Sequence, residues 1–202
     1  MENKIFFAIT GDLIKSKLIP ERGNAQKQLL KTCKEINEIF NSYIVVNFSI
    51  TIGDEIQGLV KKNTPIFEII ENFEICMMPI KIRFGIGEGK ISTPIYSETS
   101  LMDGECFLNS REGIEKAKKE DRLIKIILKN KKMQDIVDLI LLWIEKTKKE
   151  WNEKIYGRYY LYKKFGSIAK VAKEEGVSKQ SVGKSLKRAK YDLVLKSERM
   201  IE

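Results

Sequence analysis

No histidine occurs anywhere in the 202 residues. Imidazole acid–base catalysis, catalytic triads, the common zinc hydrolases and haem ligation through imidazole are therefore excluded. Cysteine is scarce: Cys33, Cys76 and Cys106 are odd in number and far apart, which argues against a disulfide framework or a cysteine-held zinc. Unpaired thiols of this kind suit the reducing cytoplasm, the expected compartment. No apolar run reaches the ~18 residues that would span a bilayer, so no membrane partner is expected. Met1-Glu2-Asn3-Lys4 lacks the basic-then-apolar layout of a signal peptide. Any chemistry must rest on carboxylates, Lys and Arg, hydroxyls, backbone dipoles or a bound metal.

Charge, by contrast, is plentiful. The chain has 37 Lys/Arg against 28 Asp/Glu, a net +9, and its 43% apolar share is enough for a folded core. The surplus is uneven. Residues 151–202 hold 13 Lys/Arg and 6 Asp/Glu, a net +7, which leaves +2 for residues 1–150. A Lys-rich composition alone makes a chain basic, but charge concentrated in the last quarter points to a polyanion, nucleic acid first. It also divides the chain into two functional parts.

The hydropathy pattern predicts a buried strand over Ile5–Ile9 that enters a loop at Thr10-Gly11-Asp12. A helix follows over Arg22–Phe40, with Leu29, Cys33, Ile36 and Phe40 on one face. Val45–Thr51 and Glu55–Val60 read as a hairpin around Gly53-Asp54. Thr64-Pro65 reads as a helix start with a capping hydroxyl. Ile80–Phe84 reads as a strand leading into a Gly85/Gly87/Gly89 loop, whose glycines pack the backbone against the acidic turns. A helix over Glu105–Lys118, a strand over Leu123–Leu128 and a helix over Met133–Lys149 complete this part. The order predicts an α+β, ferredoxin-like sheet with its helices on one face. The expected divisions are a sheet domain over 1–130, a connecting helix over 131–150 and a small all-α domain over 151–202.

Two Gly-Asp turns stand out, Gly11-Asp12 after the first strand and Gly53-Asp54-Glu55 in the hairpin. Either pair alone is an ordinary turn former. In a ferredoxin-like sheet, however, the first and third strands are central neighbours. That brings Asp12 and Asp54 near one another, where carboxylates repel unless a cation neutralises them. Mg²⁺ takes one or two carboxylates plus phosphates, and Lys15-Ser16-Lys17 follows closely enough to hold a triphosphate. Glu55 reads as a third ligand or as a solvated carboxylate.

These blocks resemble class III purine nucleotidyl cyclases. Phe6–Ser16 is similar to their first metal-binding strand, Thr51–Glu55 to their Gly-Asp hairpin, and Arg83–Gly89 to the Arg-x-Gly-Ile-x-x-Gly strand. Asp103-Gly104, Asn109 and Arg111 are similar to their Gly…Asn…Arg segment. The resemblance implies a cyclase-like palm with Asp12, Asp54 and the Leu13 carbonyl as ligands of Mg²⁺ (or Mn²⁺). Lys15, Ser16, Lys17, Gly53 and Asn109 would face a purine nucleoside triphosphate. Arg111 would be catalytic if it is not simply a helix-surface arginine. Cyclase sites form between two palms, so a homodimer is implied. The pattern departs at Ile50 and Leu101, which stand where the family reads its base. It departs again in the two-residue spacing of Asn109 and Arg111. The chain also resembles the SatD family through its Gly-Asp…Ser block, Gly53-Asp54-Glu55-Ile56-Gln57-Gly58 and a helix-turn-helix-like tail.

In that tail, Ile168, Ala169 and Ala172 give a short helix an apolar face, Gly176 suits a left-handed turn, and Val177 fills the core. Ser178 caps a second helix that buries Val182, Leu186 and Ala189. Trp151, Ile155, Tyr159 and Tyr162 supply an upstream helix. The pattern resembles a sigma-region-4-type helix-turn-helix. Ser178, Lys179, Gln180 and Ser181 would face base edges, with Lys184, Lys187 and Arg188 on phosphates. The alternative use is a dimerising helical hairpin. Three functions follow as expectations: a metal-dependent nucleotidyl cyclase or transferase, a transcriptional regulator whose inactive palm senses a nucleotide, or an interaction protein.

Overall fold

The computed structural model describes residues 4–201. Met1, Glu2, Asn3 and Glu202, and with them most of the N-terminal tetrapeptide considered above, lie outside the described residues. The chain divides into two units, the first running to Leu139 and the second from Ile140 to Ile201.

In the first unit β1 (Phe6–Leu13), β2 (Ile44–Ile52), β3 (Glu55–Lys61), β4 (Ile82–Gly89) and β5 (Ile124–Ile127) form one sheet. Their order is β2-β3-β1-β4-β5. β1 runs antiparallel to both β3 and β4, while β5 is parallel to β4. The first four strands, with α1 (Arg22–Ile39) and α2 (Ile66–Met77), give the expected split β-α-β arrangement. The central pairing of the first and third strands is as the sequence predicts.

The helices do not share one face. Residues alternate across a strand, and the side chains of β1 sort accordingly. On one side Gly11 meets Ile56 and Phe84, and Phe84 stacks on Phe73 of α2. On the other side Thr10 hydrogen-bonds Ser110 of α3 (Glu105–Lys119) at 3.0 Å, and Ala8 packs with Cys106 and Phe107. The expectation of helices on a single face is thus corrected: α2 lies on one face and α3 on the opposite one. The physical reason is the glycine run. Gly85, Gly87 and Gly89 belong to β4 rather than to a loop. A Cβ at any of them would come within 2.4 Å of α3 backbone. Their close packing is against α3, not against the acidic turns.

Two smaller expectations also change. Thr64 does not cap α2; its hydroxyl donates to the Lys61 carbonyl at 2.6 Å, and Pro65 stands at the N-cap. β1 continues to Leu13, so Asp12 is a strand residue rather than a loop residue.

α4 (Lys131–Lys148) contains the boundary between the units. Its Asp138 accepts from Lys125 of β5 at 3.0 Å, while Ile140, Trp143 and Ile144 join the core of the second unit.

The second unit adds α5 (Glu153–Phe165), α6 (Ile168–Glu175), α7 (Lys179–Arg188) and α8 (Tyr191–Ile201). Trp151, Tyr159, Val171, Ala172, Val182 and Leu186 form its core. Gly176 has φ 64° and ends α6; the Ser178 hydroxyl accepts from Ser181 N and starts α7. Val177 does not plug the core: it is 36% exposed, and Val171, fully buried, takes that place. The last helix is one that the pattern of the sequence does not separate from α7: Lys190 turns the chain at φ 54° and α8 begins anew. Arg158, 3% exposed, donates to Glu175 of α6 at 2.8 Å and to the Ser181 carbonyl of α7 at 3.2 Å. Two helices are therefore tied to α5 by one guanidinium.

Candidate functional site

The acidic residues gather where β1 ends. Asp12 is directly opposite Glu55 on β3 and Arg83 on β4, so all three side chains leave the sheet on the α3 face. Opposed residues of an antiparallel pair have Cβ atoms about 4.5–5.5 Å apart, a distance at which like charges destabilise. Lys118, in the last turn of α3, answers that repulsion. Its ammonium lies 3.0 Å from Asp12 Oδ2. Burial acts to lower the Lys118 pKa, but the Asp12 hydrogen bond and the charges of Asp12, Glu115 and Glu55 outweigh it and hold the pKa raised. Arg83 turns the other way, donating to the Arg122 carbonyl at 2.8 Å and pairing with Asp121 at 3.5 Å.

Beneath this pair runs a buried polar relay. Gln57 Nε2 donates to Thr10 Oγ1 at 3.1 Å, Thr10 and Ser110 share a hydrogen bond at 3.0 Å, and Ser110 donates to the Phe107 carbonyl at 2.9 Å. It fixes α3 against β1 two residues short of Asp12.

Asp54 sits one residue beyond the Asp12–Glu55 pair, in the turn that Gly53 opens at φ 65°. Its Oδ1 is 3.6 Å from Arg22 at the start of α1, and Gln26 donates to the Gly53 carbonyl at 3.2 Å. Asp54 Oδ2 is buried and has no hydrogen-bond partner among the described residues. A buried carboxylate oxygen without a partner costs free energy until something positive reaches it. Glu55 accepts from the Thr51 hydroxyl at 3.2 Å.

Among the described residues no three acidic or thiol side chains cluster as a metal cage. The donors at hand are the two aspartates and the Leu13 carbonyl. All are hard oxygens, the kind Mg²⁺ takes when phosphates complete its shell; Arg22 already stands 3.6 Å from Asp54 and Lys118 3.0 Å from Asp12, and Asp54 Oδ2 is left without a hydrogen bond. The donor chemistry suits that ion, while the contacts of the two aspartates diverge, Asp12 to Lys118 of α3 and Asp54 to Arg22 of α1.

Lys15 and Lys17 are exposed and Ser16 is half-buried, in the turn just after β1, with Lys15 itself left-handed at φ 56°. These residues are near the acidic end. Asn109 is not. Asn109 Nδ2 donates to the Glu88 carbonyl at 2.7 Å, and Glu88 is opposite Phe7, roughly 17 Å along β1 from Asp12 at ~3.4 Å per residue. Arg111 is exposed, next to the sheet-facing Ser110. Within one chain Asn109 therefore does not reach Asp12. Burial pushes the Cys33 thiol up to about 12 and that of Cys106 up to about 11, so neither is a nucleophile at neutral pH.

Sequence reading missed Arg22, Gln26 and Lys118. A signal for Lys118 existed: it follows the sheet-facing Ile114 by four residues, one turn further along the same side of α3.

In the second unit, Ser178, Lys179, Gln180, Ser181, Lys184, Lys187 and Arg188 are all exposed, and Val182, Leu186 and Ala189 are buried behind them. α7 (Lys179–Arg188) contains no acidic residue.

The fold and site define an α+β protein with a split β-α-β sheet, an acidic cluster at one sheet end and a basic helical unit. Residues 6–201 match the SatD family, and the chain belongs to it. No curated protein matches the chain. Among solved structures it is similar to the adenylyl cyclase CyaB from P. aeruginosa, at 13% identity and TM-score 0.37, covering 54% of this chain and 70% of that one. It is similar to the catalytic core of a rhodopsin-guanylyl cyclase with converted specificity in complex with ATPαS, at 18% identity, TM-score 0.37 and the same coverage. A dimeric guanylyl cyclase domain from the aquatic fungus Blastocladiella emersonii is similar at 18% identity and TM-score 0.35, over 54% of this chain and 72% of that one. No helix among the described residues is long and apolar enough to cross a membrane.

Proposed function

We propose that this protein binds a purine nucleoside triphosphate with Mg²⁺ at the Asp12/Asp54 end of its sheet and binds DNA through α7. The observation that carries the nucleotide half is the buried, partnerless Asp54 Oδ2 beside the Asp12–Glu55 pair. The cyclase-like order of the sequence blocks supports it. Asp12, Asp54 and the Leu13 carbonyl hold the ion, whose charge would neutralise the phosphates and acidify a ribose hydroxyl. Lys15 and Lys17 balance the remaining phosphate charge, and Ser16 offers a hydroxyl and an amide. The DNA half is supported by the acid-free exposed face of α7 and by the Arg158 tie that fixes its first turn against α5 and α6.

Titration calorimetry with ATP or GTP and Mg²⁺ tests the first half. Binding is expected for the wild type and a loss of at least tenfold for Asp54→Asn. Equal affinity in both would remove the reading.

A second reading, sensing without turnover, is favoured by the Lys118–Asp12 pair and by the placement of Asn109, far from Asp12, and of Arg111, exposed on α3. Turnover would then require those two residues from the second copy of a homodimer. Incubating nucleotide with Mg²⁺ or Mn²⁺ and separating the products chromatographically distinguishes the readings: unchanged nucleotide supports the sensor.

A further inference from the structure

Beside α7 the second unit carries a groove of about 560 Å³, of which the DNA reading uses only the α7 wall. Lys184, Ser185 and Arg188 of α7 form one wall, Lys154 in the first turn of α5 stands on the other, and Lys190 lines it between α7 and α8. Glu150 is the single carboxylate in the lining. Among the described residues none of these four cations is in an ion pair, and all four are exposed. Four like charges around one concavity repel one another, and an anion of matching extent relieves that repulsion.

The groove continues the α7 face. Ser181, Lys184 and Arg188 are three and four residues apart and so lie along one side of the helix. The stripe assigned to DNA at the start of α7 therefore runs into the groove at its end. A recognition helix in the major groove is flanked by phosphates, and phosphate contacts set position without reading sequence.

We propose that this groove holds the sugar–phosphate backbone of DNA alongside α7, with Lys154 and Lys190 as phosphate contacts from outside the helix-turn-helix. The inference rests on the DNA-binding reading of α7. It extends the footprint to α5, which that reading treats only as core.

The backbone term is independent of sequence, so a 25-base-pair duplex of scrambled sequence serves as probe. Binding of the full chain is followed by fluorescence anisotropy across a salt series. The double variant Lys154→Ala/Lys190→Asn is used, since asparagine tolerates the left-handed φ of 54° at position 190. Its affinity should fall roughly 10- to 60-fold at 0.1 M salt, and the log–log salt slope should flatten by about 2. A wild-type slope in this variant, with a flattened slope in Lys187→Ala, overturns the groove and leaves the α7 reading standing. Wild-type behaviour in both variants overturns the two together. A wild-type slope combined with lost ATP binding assigns the groove to a free nucleotide and overturns the proposal.

Discussion

The ammonium of Lys118 lies 3.0 Å from Asp12 Oδ2, reaching it from the last turn of α3. It takes up an Asp12 oxygen that a divalent ion held there would need. Lys118→Ala should therefore tighten Mn²⁺ binding, read by electron paramagnetic resonance of the free ion, and weaken the metal-free fold slightly. The loss is about 0.2–1 kcal/mol, the range of partly exposed pairs. Since the Lys118 pKa is raised on folding, its contribution is complete below the ordinary lysine pKa of about 10.4 and disappears as pH rises through the folded value. Unchanged Mn²⁺ affinity in the variant would show that the lysine does not compete.

Glu198 of α8 is 2% exposed and accepts from Tyr159 at 2.8 Å, Lys148 at 2.8 Å and Lys163 at 3.2 Å. Burial acts to raise its pKa, but the Lys148 and Lys163 charges prevail and hold it lowered. Its stabilisation is thus present above the ordinary glutamate range and lost as pH falls through the folded value. Glu198→Gln leaves two lysines without their anion. Destabilisation of about 3–5 kcal/mol at pH 7 is expected, with a shallower loss of stability below pH 4 than the wild type. Urea titrations at pH 7 and pH 3.5 measure both.

Gly87→Ala would place a Cβ 2.2 Å from the Cys106 carbonyl and the Ser110 amide. Backbone cannot yield as a side-chain tip does, so about 1–3 kcal/mol should be lost. A Cβ at Gly23, in α1, would meet nothing within 4 Å, and Gly23→Ala should gain about 0.4–1 kcal/mol. Chemical denaturation of the two variants side by side gives opposite signs if the close approach of α3 is correct.

Lys179→Ala and Gln180→Ala should relax sequence preference, while Lys187→Ala should weaken all duplexes about equally and lower the salt slope by about 1. Selection from a random-sequence DNA pool followed by anisotropy on the winners separates the two effects. Uniform indifference would leave α7 as a dimerising hairpin.

The central pairing of β1 with β3 was legible because both carry buried apolar runs bounded by turn residues, and the helix bounds of α1 and α3 fell within one residue of expectation. The side of the sheet taken by α3 was not legible. It depends on Gly85, Gly87 and Gly89 admitting a helix backbone, and in one dimension alternate glycines read equally well as a loop. At the site, topology predicts Asp12 beside Asp54; the strand register instead sets Glu55 opposite Asp12 and leaves Asp54 one residue further on, in the turn. The partners that neutralise the acids, Lys118 and Arg22, come from helices packed by long-range contacts that local spacing does not encode. The Thr64 hydroxyl went unread for a simpler reason: a cap acceptor and a turn donor use the same oxygen, and only the backbone path decides.

The bare backbone of β4 has a reach beyond its own strand. With no side chain at three alternate positions, α3 settles deeply enough for its final turn to deliver a charge to the far end of the sheet. A methyl group at Gly85 would meet the helix at Ser110 and Ile114, lift it, and draw Lys118 back from Asp12. Electrostatic balance among the acids is thus set by how little material lies two turns away.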